Sequence, residues 1–142
     1  MTPTLDLKLR NEIDDLFISS YDAYKANNPD EMMRLADIAW SKIPDSKFSW
    51  DVSWSFVQSM VYTYIDFGNM KEALNLIDLY IDSGYLFDYE DGPFFLKGKV
   101  LFLMNRKDQS FEFFDKANSI SKGRCFKDED DKYLKFYLSE KD

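Results

Sequence analysis

Histidine is absent from the chain, and cysteine occurs once, at Cys125. The first absence removes the commonest general base, the usual partner of a nucleophilic serine or cysteine, and the commonest zinc ligand. A single thiol allows no intrachain disulfide and no cysteine-based zinc site, which points to a reducing compartment. Glycine and proline are scarce, at 5 and 4 residues, a composition that favours long helices over disorder. No run approaches the roughly 18 apolar residues that span a bilayer. Met1 to Arg10 also lacks the apolar centre of a signal peptide, so the expected location is the cytoplasm, away from any membrane.

Cations are outnumbered: 18 Lys and Arg stand against 26 Asp and Glu, a net charge of −8. They are scattered among carboxylates instead of forming a stripe, so nucleic acid is a poor partner, since each phosphate contact needs a cation. A basic protein surface is the partner that such a field attracts. No phosphate-cradling glycine loop occurs. The acidic runs Asp88 to Asp91 and Asp128 to Asp131 lack the spacing and glycine of a calcium loop. Cys125 has cationic neighbours at Lys122, Arg124 and Lys127 but no activating base. The chain is therefore expected to be no enzyme and to carry no cofactor or metal.

What is abundant is aromatic: 13 Phe, 9 Tyr and 3 Trp, 18% of 142 residues, enough for one continuous core and a single domain over 1–142. Apolar residues recur at helical intervals. Ile13, Leu16, Phe17, Tyr21 and Tyr24 predict a helix over Leu7 to Ala26. Asn28-Pro29-Asp30-Glu31 writes the start of the second, and Ile43-Pro44 its end. A third spans about Asp51 to Phe67 and closes at Gly68; Asn69 and Glu72 open a fourth, which runs toward Gly84. Tyr85 to Asp91 combines acidic and aromatic residues. A fifth helix covers about Pro93 to Met104, a sixth holds Phe111, Phe114, Ala117 and Ile120 and stops at Gly123, and Asp128 to Asp131 begin a seventh that covers the end of the stack. The expectation is all-α, about seven antiparallel helices joined by short turns.

Tyr64, Gly68 and Ala73 place a bulky contact, a reversal and a close approach where a helical hairpin needs them, and this pattern resembles the tetratricopeptide repeat. In the pair Phe94 to Gly123, Phe94, Gly98, Phe114 and Ala117 match, with Asn105 at the turn glycine and Ser110 at the alanine; in the first pair Ser20, Ala39 and Pro44 match. Ile77 replaces the usual aromatic and Val61 the first-helix glycine. The resemblance implies three irregular hairpins plus a C-terminal capping helix, with the first helix of each pair lining a concave face. Carried over position by position, its partner-facing residues are Phe17, Tyr21 and Tyr24, then Gln58, Tyr62, Ile65 and Asp66, then Phe95, Lys99 and Phe102. In physical type the chain is also similar to small acidic bacterial immunity proteins, which mask basic nuclease toxins. That likeness implies a toxin domain as partner; the alternative is a scaffold or secretion chaperone that cradles a peptide in an aromatic groove.

Overall fold

The computed structural model describes residues 2–141. Among them are seven α-helices, no strand and one short 3-10 turn: α1 (Leu7–Lys25), α2 (Pro29–Lys42), α3 (Ser53–Phe67), α4 (Met70–Ile81), α5 (Gly92–Leu103), α6 (Lys107–Ser121), the 3-10 turn Arg124–Phe126, and α7 (Asp131–Glu140). The chain divides into two compact units, one up to Leu76 and one from Ile77. Each has its own core.

Several helix starts follow from side chains that accept orphan amide hydrogens. The Asp6 carboxylate accepts from Leu9 N at 3.2 Å, the Asn28 amide oxygen from Glu31 N at 3.3 Å, and the Asp130 carboxylate from Lys132 N at 3.0 Å. Pro29 then occupies the first turn of α2, where its missing N–H costs nothing. At the other end of α2, Lys47 Nζ donates to Trp40 O at 2.8 Å and Ile43 O at 2.7 Å, so a cation closes the negative end of the helix.

The turns between paired helices share one geometry. Asn27, Gly68 and Asn105 all take the left-handed conformation, with φ of 60°, 86° and 60°. In each turn the next amide reaches back five residues: Asn28 N donates to Ala23 O at 2.9 Å, Asn69 N to Tyr64 O at 2.8 Å and Arg106 N to Leu101 O at 2.9 Å. These are the closures that satisfy the last carbonyls of a helix. Asparagine tolerates this conformation better than other non-glycine residues, so it substitutes for glycine at two of three turns.

Because the turns are alike, corresponding residues fall at corresponding depths. Ser20 and Met32, Val61 and Ala73, and Gly98 and Ser110 occupy equivalent places before and after their turns, and all six are buried. A hydroxyl ties two of these hairpins across the crossing: Ser20 Oγ donates to Met32 O, and Ser110 Oγ to Gly98 O, both at 2.7 Å. The donor sits on the first helix in one case and on the second in the other.

In the first unit α1 packs against α2 and α3 around Ile13, Phe17, Met32, Ala36, Ala39, Phe56 and Val57. In the second, α5 and α6 pair around an aromatic cluster of Phe95, Phe114, Phe126, Tyr133 and Tyr137. Lys122 and Gly123, both left-handed at φ 55° and 88°, turn the chain after α6 so that Phe126 enters this cluster. Its rings meet edge-on or tilted, an arrangement worth about 0.5–1.5 kcal/mol per pair beyond burial.

Candidate functional site

Seven residues of α1 and α3 and one of α2 enclose a pocket of about 310 Å³ in the first unit: Phe17, Ser20, Tyr21, Met32, Ser59, Tyr62, Thr63 and Asp66. The helical repeat explains the grouping. Positions 17, 20 and 21 share one face of α1, and 59, 62, 63 and 66 share one face of α3, each set spaced by three and four. Phe17 is its apolar floor, and the ring of Phe17 stands 6.2 Å from that of Phe56. Tyr21 is 55% exposed and stacks on Tyr24, 40% exposed, at 6.2 Å. Lys25 Nζ lies 4.9 Å above the Tyr21 ring.

Six polar side chains line this pocket: Ser20, Tyr21, Ser59, Tyr62, Thr63 and Asp66. The hydroxyl proton of Ser20 is committed to Met32 O, and that of Thr63 to Ser59 O at 2.9 Å. Among the described residues Asp66 is the one charged residue of the lining. Although the residue as a whole is exposed, partial burial pushes the pKa of its carboxyl above the usual carboxylate range.

Four residues expected to face a partner, Phe17, Tyr21, Tyr62 and Asp66, thus line one pocket, and Tyr24 stacks at its edge. Gln58 and Ile65 are half-buried on α3 outside the lining. Ser59 and Thr63 are additions that the spacing of α3 makes legible once Tyr62 and Asp66 are chosen.

On α5 the three residues expected to face a partner lie in or against a packed cluster. Phe95 is 6% exposed and sits inside the aromatic cluster, 5.0 Å from Phe114 and 5.2 Å from Phe126. Phe102 is covered by Tyr133 and Phe136 at 5.2 and 5.3 Å and carries Lys107 Nζ 3.7 Å above its ring. Lys99, 9% exposed, donates to Glu129 Oε1 at 2.8 Å with Tyr133 beside it. The reason is physical: the segment after α6 folds its own aromatic residues onto the face of α5 that would otherwise be open.

A second exposed feature lies between α4 and α5. Tyr85, Phe87 and Tyr89 are all exposed, and the last two stack at 5.5 Å with planes 2° apart. Glu90 Oε2 accepts from Phe87 N at 2.7 Å and Glu90 N donates to Phe87 O at 3.1 Å, which orders the loop. From Lys71 to Lys97 the chain holds Glu72, Asp78, Asp82, Asp88, Glu90 and Asp91 with no cation between. Lys97 neutralises Asp78 at 2.6 Å.

Cys125 is half-buried, and burial pushes its thiol pKa up, away from the thiolate that a nucleophile needs. Among the described residues no group of three or more His, Cys, Asp or Glu is placed to hold a metal ion, and no helix is long and apolar enough to cross a membrane. Comparison with known protein families, with characterised proteins and with solved structures finds no match.

Proposed function

We propose that this protein is a non-enzymatic binding module whose pocket between α1 and α3 receives part of a basic partner protein. The observation that carries this reading is the pocket itself: three aromatic rings and a carboxylate converge on about 310 Å³ of open space. Aromatic side chains offer large contact area at low entropic cost and are enriched at binding hot spots. The raised thiol of Cys125 and the lack of histidine weigh against nucleophilic catalysis.

The equivalent crossings at Ser20, Val61 and Gly98, and the common turn geometry, support kinship with tetratricopeptide-like hairpins. Net charge of −8 and the ordered acidic-aromatic loop at 85–91 support a partner of opposite sign. A cytoplasmic immunity protein that covers the basic surface of a nuclease-type toxin domain fits these properties best.

The test is association with the product of the adjacent reading frame. An immunity complex should form fast at low salt and lose at least about tenfold in on-rate as ionic strength rises to 0.5 M. Association that salt leaves unchanged would favour a scaffold or secretion chaperone. Unimpaired binding after Tyr62→Ala, in a variant that melts normally, would remove the pocket from the interface.

A further inference from the structure

We infer that the pocket between α1 and α3 is a receptor for a single basic side chain, a lysine or arginine projecting from the partner. This rests on the reading of the pocket as the partner-binding site and names what enters it.

The charge of Asp66 and the aromatic and aliphatic walls lead to this choice. With the Ser20 and Thr63 hydroxyl protons donated to Met32 O and Ser59 O, both oxygens can offer a ligand only lone pairs. The Asp66 carboxylate also only accepts. Lysine and arginine carry a positive charge and only donate, so their polar ends suit Asp66 and the two committed hydroxyl oxygens, while the hydroxyls of Tyr21, Ser59 and Tyr62 can turn lone pairs toward the same cation. Among the described residues no cation lines the pocket beside Asp66. The walls match the rest of the side chain: Phe17 and Met32 suit an aliphatic stem, and tyrosine faces attract a cation, as Lys25 over Tyr21 already does at 4.9 Å.

The test uses the full chain labelled with ¹⁵N and three small probes: N-acetyl-arginine amide, N-acetyl-lysine amide and N-acetyl-norleucine amide. At least one basic probe should shift the amide resonances of Ser20, Ser59, Tyr62, Thr63 and Asp66 saturably, with Kd on the order of 1–10 mM, as befits one side chain. Norleucine amide should bind at least about fivefold more weakly. Asp66→Asn should weaken the basic probes by about fivefold or more while its melting curve shows an intact fold. Equal binding of norleucine, shifts spread over the acidic surface without saturation, or undiminished binding to the Asp66→Asn variant would each overturn the proposal. Because no partner protein takes part, this outcome is independent of the association experiment: a pocket that binds arginine amide in a protein that ignores the candidate partner would condemn only that partner.

Discussion

Phe114 lies against the Cα of Gly98 so closely that a methyl group on the glycine would stand 2.6 Å from Phe114 Cδ1 and 2.7 Å from Cε1. The ring has nowhere to retreat. It is fully buried, with Phe95 at 5.0 Å, Phe126 at 5.7 Å and Tyr133 at 5.8 Å around it. Gly98→Ala should therefore destabilise the second unit by about 1–3 kcal/mol through overpacking. A thermal melt reads this directly, and adding Phe114→Leu should recover part of the loss, since contacting positions couple.

Lys99 and Glu129 form a pair that is largely withdrawn from water, with the lysine at 11% side-chain exposure and the glutamate at 28%. Removing one partner from such a pair costs more than removing the pair's attraction, because the other charge is left uncompensated. Glu129→Ala is expected to cost about 2 kcal/mol, discounted from the fully buried case. Lys99→Met keeps the stem against the Phe95 and Tyr133 rings and leaves behind Glu129, the more exposed charge of the two, so it should cost less than Glu129→Ala. Chemical denaturation of both variants checks the order. Partner affinity should be unchanged in Lys99→Met, in contrast to the expectation from repeat position alone.

The three hairpin turns offer a test of backbone conformation with little else involved. Nothing stands within 4 Å of where a Cβ on Gly68 would lie, so Gly68→Ala strains only the left-handed backbone. A cost of about 1 kcal/mol is expected. Asn105→Ala should cost a similar amount and Asn105→Gly should be neutral or slightly stabilising, because glycine reaches φ near 60° without penalty. Melting temperatures of the three variants decide.

Helix ends were legible wherever a local device writes them. Asn28-Pro29, Gly68 and the acidic run before α7 each act within a few residues, and the structure places helix ends within about two residues of the expected ones at each. Phe17, Tyr21, Tyr62 and Asp66, which the resemblance to the tetratricopeptide repeat implies as partner-facing, line one pocket because each pair shares a helix face. What could not be read locally is where the tail docks. Phe126 and Tyr133 lie 31 and 38 residues along the chain from Phe95, and nothing in the pattern of α5 says which of its faces will be covered. The 3-10 turn at Arg124–Phe126 follows two consecutive left-handed residues, and one of them, Lys122, carries no local signal for that conformation.

Tyr85, Phe87 and Tyr89 contribute little to the interior, so Tyr89→Ala and Phe87→Ala should each change stability by no more than about 0.5 kcal/mol. Exposed, mutually stacked aromatics flanked by Asp88, Glu90 and Asp91 are what a basic partner's hot spot would meet. If the loop is part of the interface, either substitution lowers affinity by about tenfold or more. Calorimetric titration with the partner, beside a melt of each variant, separates the two effects.

Asp66 should be the residue at which stability and binding disagree. Burial raises its folded-state pKa above the unfolded value, so the folded state holds its proton more tightly. Below both values the carboxyl is neutral in either state, and the associated stabilisation is complete; it is lost as pH rises through the folded pKa, which leaves a penalty at neutral pH. Asp66→Asn removes that penalty. Because the residue is exposed, solvent screening limits the gain to about 0.5 kcal/mol at pH 7, and it should shrink toward nothing near pH 3, where the native carboxyl is also uncharged. A melting temperature that rises at pH 7 in the same variant that loses affinity for a basic ligand would mark Asp66 as a group kept for binding at the expense of the fold. A melting temperature that falls at pH 7 would mean that the carboxylate is satisfied by the protein itself, and that the pocket needs no cation from outside.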